Sequence, residues 1–465
     1  MKTQTFRTAL STIIILFCHA AVAQVPNPTV TGPIPETAQP GDPSRDHTFF
    51  ASEIVDEFGY VEEEFFIEGT ANAYLTPPLA TGTIISSGHP YRSRIVVRRP
   101  ARAQRFNGTV IIEWLNVTSG LDIDSWLAGN AEHYMREGYA WVGVSVQRVG
   151  IHEPFSGLRD WNPARYGMLD VTDGGTLLDD ELSHDVFSQA GQAVMSPVGV
   201  DPLGGLQAER IIASGTSQSA DQMGGYYNSI QPLGNLFDAF MLITANPTVR
   251  TDLGVPVFKL HTETEAIFIA LGVPFPPSPP VQPDTDVHRT WQVAGTSHVD
   301  AELSGNFIAH FERDFQLPWP LIVCTLPNAG FNDVRFHHVV NAAQEHLVRW
   351  VKDGTPPPIA PLIETIGPDV VRDELGLALG GIRIADLEVP TAYNVGFNSG
   401  AHLFCPILGA HIPFDEDTLD ALYPTHGSYV EQVSAVVQNN LAAGYITKRD
   451  VRETRTEAAQ SDFGK

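Results

Sequence analysis

Between residues 109 and 296 the chain alternates short apolar runs with segments whose apolar residues recur at helical spacing. Six runs have strand length: TVIIEWLN (109–116), YAWVGVSVQ (139–147), ERIIASG (209–215), AFMLITAN (239–246), PVFKLHTE (256–263) and TWQVAGT (290–296). Between the first two, SWLAGNAEHYMREG (125–138) brings Trp126, Leu127, Ala131, Tyr134 and Met135 near one helical face. Asp124 or Ser125 can cap its start, and Gly138 sits where the helix must stop. HDVFSQAGQAVMS (184–196) has the same period. Strands alternating with helices predict an α/β class: a mostly parallel, twisted sheet covered by helices on both faces.

The flanks add to this. EEEFFIEGTANAY (62–74) and RSRIVVRRP (92–100) predict N-terminal strands near a sheet edge. Residues 24–48 are rich in Pro, Gly and Thr and predict an extended arm. After His298 the chain continues with a helix over 334–354, closed by Gly354 and the prolines at 356–358. A Gly-rich stretch (373–390) predicts a hairpin, and Asp415 to Gln460 predicts two or more helices. Together these form a helical and hairpin extension from about residue 300, with no internal repeat.

Composition narrows the partners. The 465 residues carry 28 Lys and Arg against 54 Asp and Glu, a net charge of −26, without a basic cluster interleaved with aromatics. Nucleic acid and anionic membrane surfaces are therefore poor partners. Lys2 and Arg7 precede an apolar run that ends in Ala21-Val22-Ala23, the pattern of a signal peptide cleaved near Ala23. The run is shorter than the ~20 residues of a membrane anchor, and Phe17 before Cys18 does not suit a lipoprotein. The expected division is a signal peptide over 1–23, an arm over 24–48 and one domain over 49–465, secreted or periplasmic. Cys324 and Cys405 then remain, and an oxidising compartment would pair them, two separate buried thiols being the alternative.

The candidate chemistry sits at strand ends. A serine hydroxyl is a weak nucleophile and needs a base, an acid to orient that base and donors for an oxyanion. Ser217, in GTSQS after the run ERIIASG, lies at a strand-to-helix turn with small Gly215 and Ser219 on either side. Glu263 and Glu265 follow the next-but-one strand, and the usual spacing favours Glu265 as the acid, with Glu263 as the alternative. His298 follows TWQVAGT in a short loop, completing the order Ser, acid, His. The main-chain N–H of Gln218 and that of Asn116 or Val117 are the candidate oxyanion donors. Segments 150–182 and 266–288 are placed to shape the pocket. There is no His-Glu-x-x-His, no Cys-x-x-Cys and no phosphate-binding Gly loop, and the acidic stretch 170–181 fails the EF-hand spacing, so neither metal nor cofactor is expected.

The stretches GYVEEEFFIEGTANAY, VIIEWLNVTSG, GYAWVGVSVQRVGI, NPARYGML, HDVFSQAGQAV, GTSQS, TETE, GTSH, GIRIADLEVP and PFDEDTLDALYPTHGSYV resemble the secreted and periplasmic "alpha/beta hydrolase domain" proteins of the α/β-hydrolase superfamily. The resemblance spans nearly the whole chain after residue 23. It implies an α/β-hydrolase fold, a C-terminal third belonging to the same family unit, and Ser219 as a family trait. By superfamily analogy it implies ester hydrolysis. Where the family pattern has Asp after Glu-Thr, this chain has Glu265, which keeps Glu263 open. The leading expectation is a serine carboxylic-ester hydrolase acting on a small acyl substrate. Amide, lactone or cyclic-peptide hydrolysis is the alternative within the fold, and a non-catalytic binding protein on the same scaffold is the alternative outside it. An Asp nucleophile, as dehalogenases and epoxide hydrolases use, is not present at 217.

Overall fold

Ten strands form a single sheet in a computed structural model that describes residues 25–125, 129–271, 280–326 and 331–464. The expected signal peptide, together with Trp126, Leu127 and residues 272–279 of the Pro-rich run 272–283, lies outside the described residues. The six runs at the centre of the sequence are all strands: β4 (Thr109–Trp114), β5 (Ala140–Val144), β7 (Arg210–Thr216), β8 (Ala239–Ile243), β9 (Val257–Thr262) and β10 (His288–Val293). They lie side by side in the order β10-β9-β8-β7-β4-β5, every neighbouring pair parallel. The long hairpin β2 (Tyr60–Leu75) and β3 (Thr83–Pro100) joins antiparallel to β5. Outside it, β1 (Thr29–Thr31) and the two-residue β6 (Val198–Gly199) form the far edge. The 24–48 stretch thus supplies a strand, and His47 and Thr48 at its end are buried.

Alternation along each strand feeds two cores, one per face. In β4, Val110, Ile112 and Trp114 point into one and Ile111 into the other. The first face is covered by the helix Ser183–Met195 through Val186, Phe187 and Ala190, and by the helix Gln218–Ser229 through Ala220, Met223 and Tyr226. The second is covered by the helix Phe336–Asp353 through Val339, Val340, Ala343 and Leu347, with Val433, Val437 and Val451 from the helices His426–Ala443 and Lys448–Gln460 behind it. Each fully buried Val or Leu here contributes about 1.5–3 kcal/mol relative to exposure. Residues beyond 300 therefore share a core with the sheet.

The Gly-rich stretch 373–390 differs from expectation. It forms isolated bridges, Arg372 with Ala378 and Ile363 with Gly380, before Ile382 pairs in parallel with Val293. Gly376, Gly380 and Gly381 have φ of +79°, +71° and +66°. Three left-handed residues in so short a span turn the chain too often for a ladder to grow.

In chain order β5 lies on one side of β4 and β7 on the other. The order in which strands are added thus reverses between β4 and β7, which run parallel, and the loops leaving their C-terminal ends open a crevice there. Asn116 follows β4 and Ser217 follows β7 at that point.

Candidate active site

The turn after β7 is tight for identifiable reasons. Ser217 has φ 59° and ψ −124°, a conformation a non-glycine residue adopts only under constraint, at a cost of about 1–3 kcal/mol. Its N–H donates to the Ile243 carbonyl at 2.8 Å, and its carbonyl accepts from the amides of Ala220 and Asp221 at 2.9 and 3.2 Å. A Cβ on Gly215 would meet the Ser219 carbonyl oxygen at 2.6 Å, so only glycine lets strand and helix approach this closely. Ser219 is fully buried, yet its hydroxyl is satisfied: it accepts from the Thr216 amide and donates to the Thr216 carbonyl, both at 2.9 Å. A second glycine is thus not required at that position. Gly215→Ala is expected to cost about 2 kcal/mol of stability by overpacking against backbone, read as a lowered denaturation midpoint.

Glu265 and His298 converge on this serine. The Ser217 hydroxyl donates to His298 Nε2 at 2.8 Å, and His298 Nδ1 donates to Glu265 Oε1 at 2.6 Å. Glu265 lies in the first turn of the helix Glu263–Leu271, where its Oε2 accepts from the Thr262 amide and hydroxyl at 2.8 and 2.5 Å. Burial pushes this carboxyl upward. The His298 imidazole and the hydrogen bonds from His298 and Thr262 outweigh it, leaving Glu265 below the ordinary carboxylate range. The His298 amide donates to Thr264 Oγ1 at 3.0 Å, which fixes the loop carrying the imidazole.

Glu263 is engaged elsewhere. It is fully buried; its Oε1 accepts from Arg372 Nη2 at 2.7 Å and its Oε2 from the Gly295 amide at 2.9 Å. It therefore ties the end of β10 to the segment after residue 370 and does not meet His298.

The loop after β4 is pinned from below. Asn116 and Ile123 exchange main-chain bonds of 3.0 and 2.8 Å, so the Asn116 N–H is already used. The Asn116 side chain donates to the Thr216 carbonyl at 2.9 Å and accepts from the Thr118 amide at 2.8 Å. That links the loop directly to the turn that carries Ser217. Asp124 is paired with Arg98 at 2.5 Å, and Asp122 accepts from the Ser145 hydroxyl at 2.5 Å. Burial pushes Asp122 up to about 6 against the pull of Arg94 and Ser145. Among the described residues the N–H groups of Val117 and Gln218 have no hydrogen-bond acceptor, Gln218 being the first residue of its helix.

A cavity opens over Ser217 and His298. Its wall is mostly apolar: Ile123 from the β4 loop, Leu303, Phe307 and Ile308 from the helix Ala301–Phe315, and Ile322, Phe404 and Ile407 from two later segments. A disulfide between Cys324 and Cys405 staples those two segments together. It closes a sequence separation of 81 residues, and removing it, by reduction or by serine at both positions, is expected to cost about 4 kcal/mol on chain-entropy grounds. Denaturant unfolding with and without reductant checks this. The described residues of 150–182 and 266–288, expected to shape the pocket, do not line it. Arg165 instead binds buried Glu64 on β2 at 2.5 Å, and Asp170 pairs with Arg92 on β3, which draws the first segment toward the hairpin.

The sequence profile of the family described as "Alpha/beta hydrolase domain" matches residues 30–456. The chain belongs to this family. No curated protein matches it. Among solved structures, it overlaps esterase Est22 with a TM-score of 0.30 and 12% identity, covering 57% of this chain and 81% of that one. A rice cell wall degrading esterase, LipA from Xanthomonas oryzae, overlaps with a TM-score of 0.23 and 13% identity, over 40% and 42% of the two chains. A prolyl endopeptidase overlaps with a TM-score of 0.28 and 11% identity, over 56% and 38%.

In this alpha/beta hydrolase domain several residues at the site escaped sequence reasoning. Thr262 and Thr264 brace the acid and the histidine loop, but a threonine at a strand end is too common to stand out. Arg372 lies 109 residues from Glu263, its partner, and no local pattern connects them. The pocket helix Ala301–Phe315 does carry a signal, an apolar face built from Leu303, Phe307, Phe311 and Phe315.

Proposed function

We propose that this protein is a serine hydrolase that cleaves carboxylic esters of small molecules through an acyl-enzyme. The observation that carries the reading is the continuous hydrogen-bonded line Glu265–His298–Ser217, with each member at the C-terminal end of a parallel strand and an apolar cavity above the serine. His298 Nε2 takes the proton as Ser217 Oγ attacks the ester carbonyl, and Glu265 holds the Nδ1–H tautomer and stabilises the imidazolium. The unengaged amides of Gln218 and Val117 are the donors for the oxyanion. Collapse expels the alcohol, protonated by His298, and a water activated by the same histidine then releases the acid. No metal or cofactor enters the scheme.

The same reading places the mature protein in an oxidising compartment. The Cys324–Cys405 disulfide supports this, since such bonds persist where thiols are not kept reduced. We also read 49–465 as one domain, because helices beyond residue 300 contribute both to the core and to the cavity wall.

A fluorophosphonate probe tests the assignment. Stoichiometric labelling, mapped by peptide mass to Ser217, is the expected result. Labelling at another residue, or none at all, overturns it.

A further inference from the structure

The cavity over Ser217 has two unlike halves. Asn116, Thr118, Ser119 and Ser125, from the loop after β4, supply a polar half beside the Val117 amide. The other half is apolar, and much of it comes from two segments distant in the chain: Trp319 and Ile322 from one, Phe404 and Ile407 from the other. Among the described residues, no Asp, Glu, Lys or Arg lines the cavity.

The two segments differ from the rest of the protein in composition. In a chain where 18% of the residues are charged, 315–332 and 389–414 contain no Asp, Glu, Lys or Arg. Around Ile322 and Phe404, burial does little of the anchoring. Their chain neighbours Leu321, Val323 and Leu403 are 89%, 67% and 73% exposed, and an apolar side chain left in water gains nothing from holding its loop in place. The anchoring comes from specific bonds. The Cys324–Cys405 disulfide joins the segments next to the lining residues. Beside it, the Thr325 amide donates to the Ser399 carbonyl at 2.6 Å and the Leu326 amide to Asn398 Oδ1 at 2.9 Å. The Val299 amide donates to the Ile407 carbonyl at 2.9 Å, which ties the pair to the residue after His298. The disulfide thus sets Ile322 and Phe404 against each other, and the Val299 bond sets them against the triad.

We propose that these two disulfide-joined segments are the specificity wall of the site: they take a large, uncharged, apolar group of the ester, and Cys324 and Cys405 are positioning residues for that wall. The inference rests on the serine-hydrolase reading and names its substrate class. Each methylene buried against the wall is worth about four-fold in binding. A charged group entering this half loses its hydration and meets no counter-ion.

Three esters test this and show which end of the substrate meets the wall. Ethyl hexanoate and hexyl acetate are isomers that carry the long chain on the acid and on the alcohol, and ethyl acetate is the short reference for both. The protein with its disulfide intact is expected to favour one isomer over ethyl acetate by about thirty-fold or more in kcat/KM. The counterpart of that isomer with a terminal carboxylate, ethyl hydrogen hexanedioate or 6-acetoxyhexanoate, should lose about ten-fold or more of this advantage. That measurement belongs in about 1 M salt, where a screening length of about 3 Å removes the field of the net charge. Phe404→Ala, and Cys324→Ser combined with Cys405→Ser, should each lower the long-to-short ratio by about five-fold or more. Reduction of the native protein gives the same comparison where the double variant does not fold. Val433, on the helix His426–Ala443, is buried in the core and does not line the cavity, so Val433→Ala should leave the ratio unchanged. A ratio within one protein does not depend on how much of it is folded, and the Val433 variant separates general loosening from loss of the wall. A ratio near one for both isomers, no turnover of all three esters, or full turnover of the carboxylate counterpart overturns the proposal. So does a ratio unchanged in either wall variant, or one that falls equally in Val433→Ala. Fluorophosphonate labelling run in parallel separates the two levels of failure. A labelled Ser217 with a flat ratio removes the wall alone, whereas an unlabelled protein removes the reading beneath it.

Discussion

Replacement of Ser217 by alanine is expected to lower kcat/KM for p-nitrophenyl acyl esters by about 10⁶-fold, the scale seen when a serine-hydrolase nucleophile is deleted. The structural reason is that the hydroxyl takes part in one hydrogen bond, to His298 Nε2 at 2.8 Å, while the strained backbone is held by main-chain contacts. Alanine keeps those contacts, so the denaturation midpoint should stay close to that of the wild type. The two readouts together exclude loss of activity through unfolding. Turnover in the purified variant within ten-fold of the wild type would remove Ser217 from the mechanism, because neither Ser214 nor Ser219 can replace it. Both are fully buried, and the Ser219 hydroxyl is already bonded to Thr216.

The parallel half of the sheet was legible because its strands are buried on both faces and read as short, largely apolar runs, even where β9 and β10 carry buried polar residues such as Lys259 and Arg289. All six fell within two residues of their observed ends on at least one side. The strand ends then placed Ser217, Glu265 and His298 in one region, since parallel strands deliver their C-terminal loops to a common edge. What connects distant parts of the chain was less legible. The glycines at 376, 380 and 381 signalled turns but not what they turn toward, and Thr244 is left-handed at φ +52° with no composition rule to mark it. The pocket wall was assigned to 150–182 and 266–288 because long, Pro-rich or polar insertions often overhang a site. Buried ion pairs such as Arg165 with Glu64 draw the first of them to the hairpin instead, and pairs of that kind leave no local trace.

The two glutamates of the TETE segment allow the acid to be assigned by experiment, because their expected defects differ in kind. Glu265→Gln leaves the volume intact but removes the negative charge 2.6 Å from His298 Nδ1. The amide can present an N–H to the ring and favour the unproductive tautomer, and it cannot stabilise the imidazolium, so kcat is expected to fall about 10⁴-fold. Glu263→Gln meets a different environment. There the partners are Arg372, whose side chain is 27% exposed, and the Gly295 amide, so removing the carboxylate charge weakens two hydrogen bonds but leaves an arginine that water can reach. The expected loss is about 2 kcal/mol of stability, the scale of a hydrogen bond to a charged group, with kcat per titrated site within about ten-fold of the wild type, since the line from Glu265 to Ser217 is untouched. Active-site titration with the fluorophosphonate normalises both variants to functional protein. If the kcat defect followed Glu263 and the stability defect followed Glu265, the acid would have to be reassigned. The hydrogen bonds oppose that outcome: Glu265 has its two oxygens divided between His298 and Thr262, whereas both oxygens of Glu263 are committed to holding the end of β10.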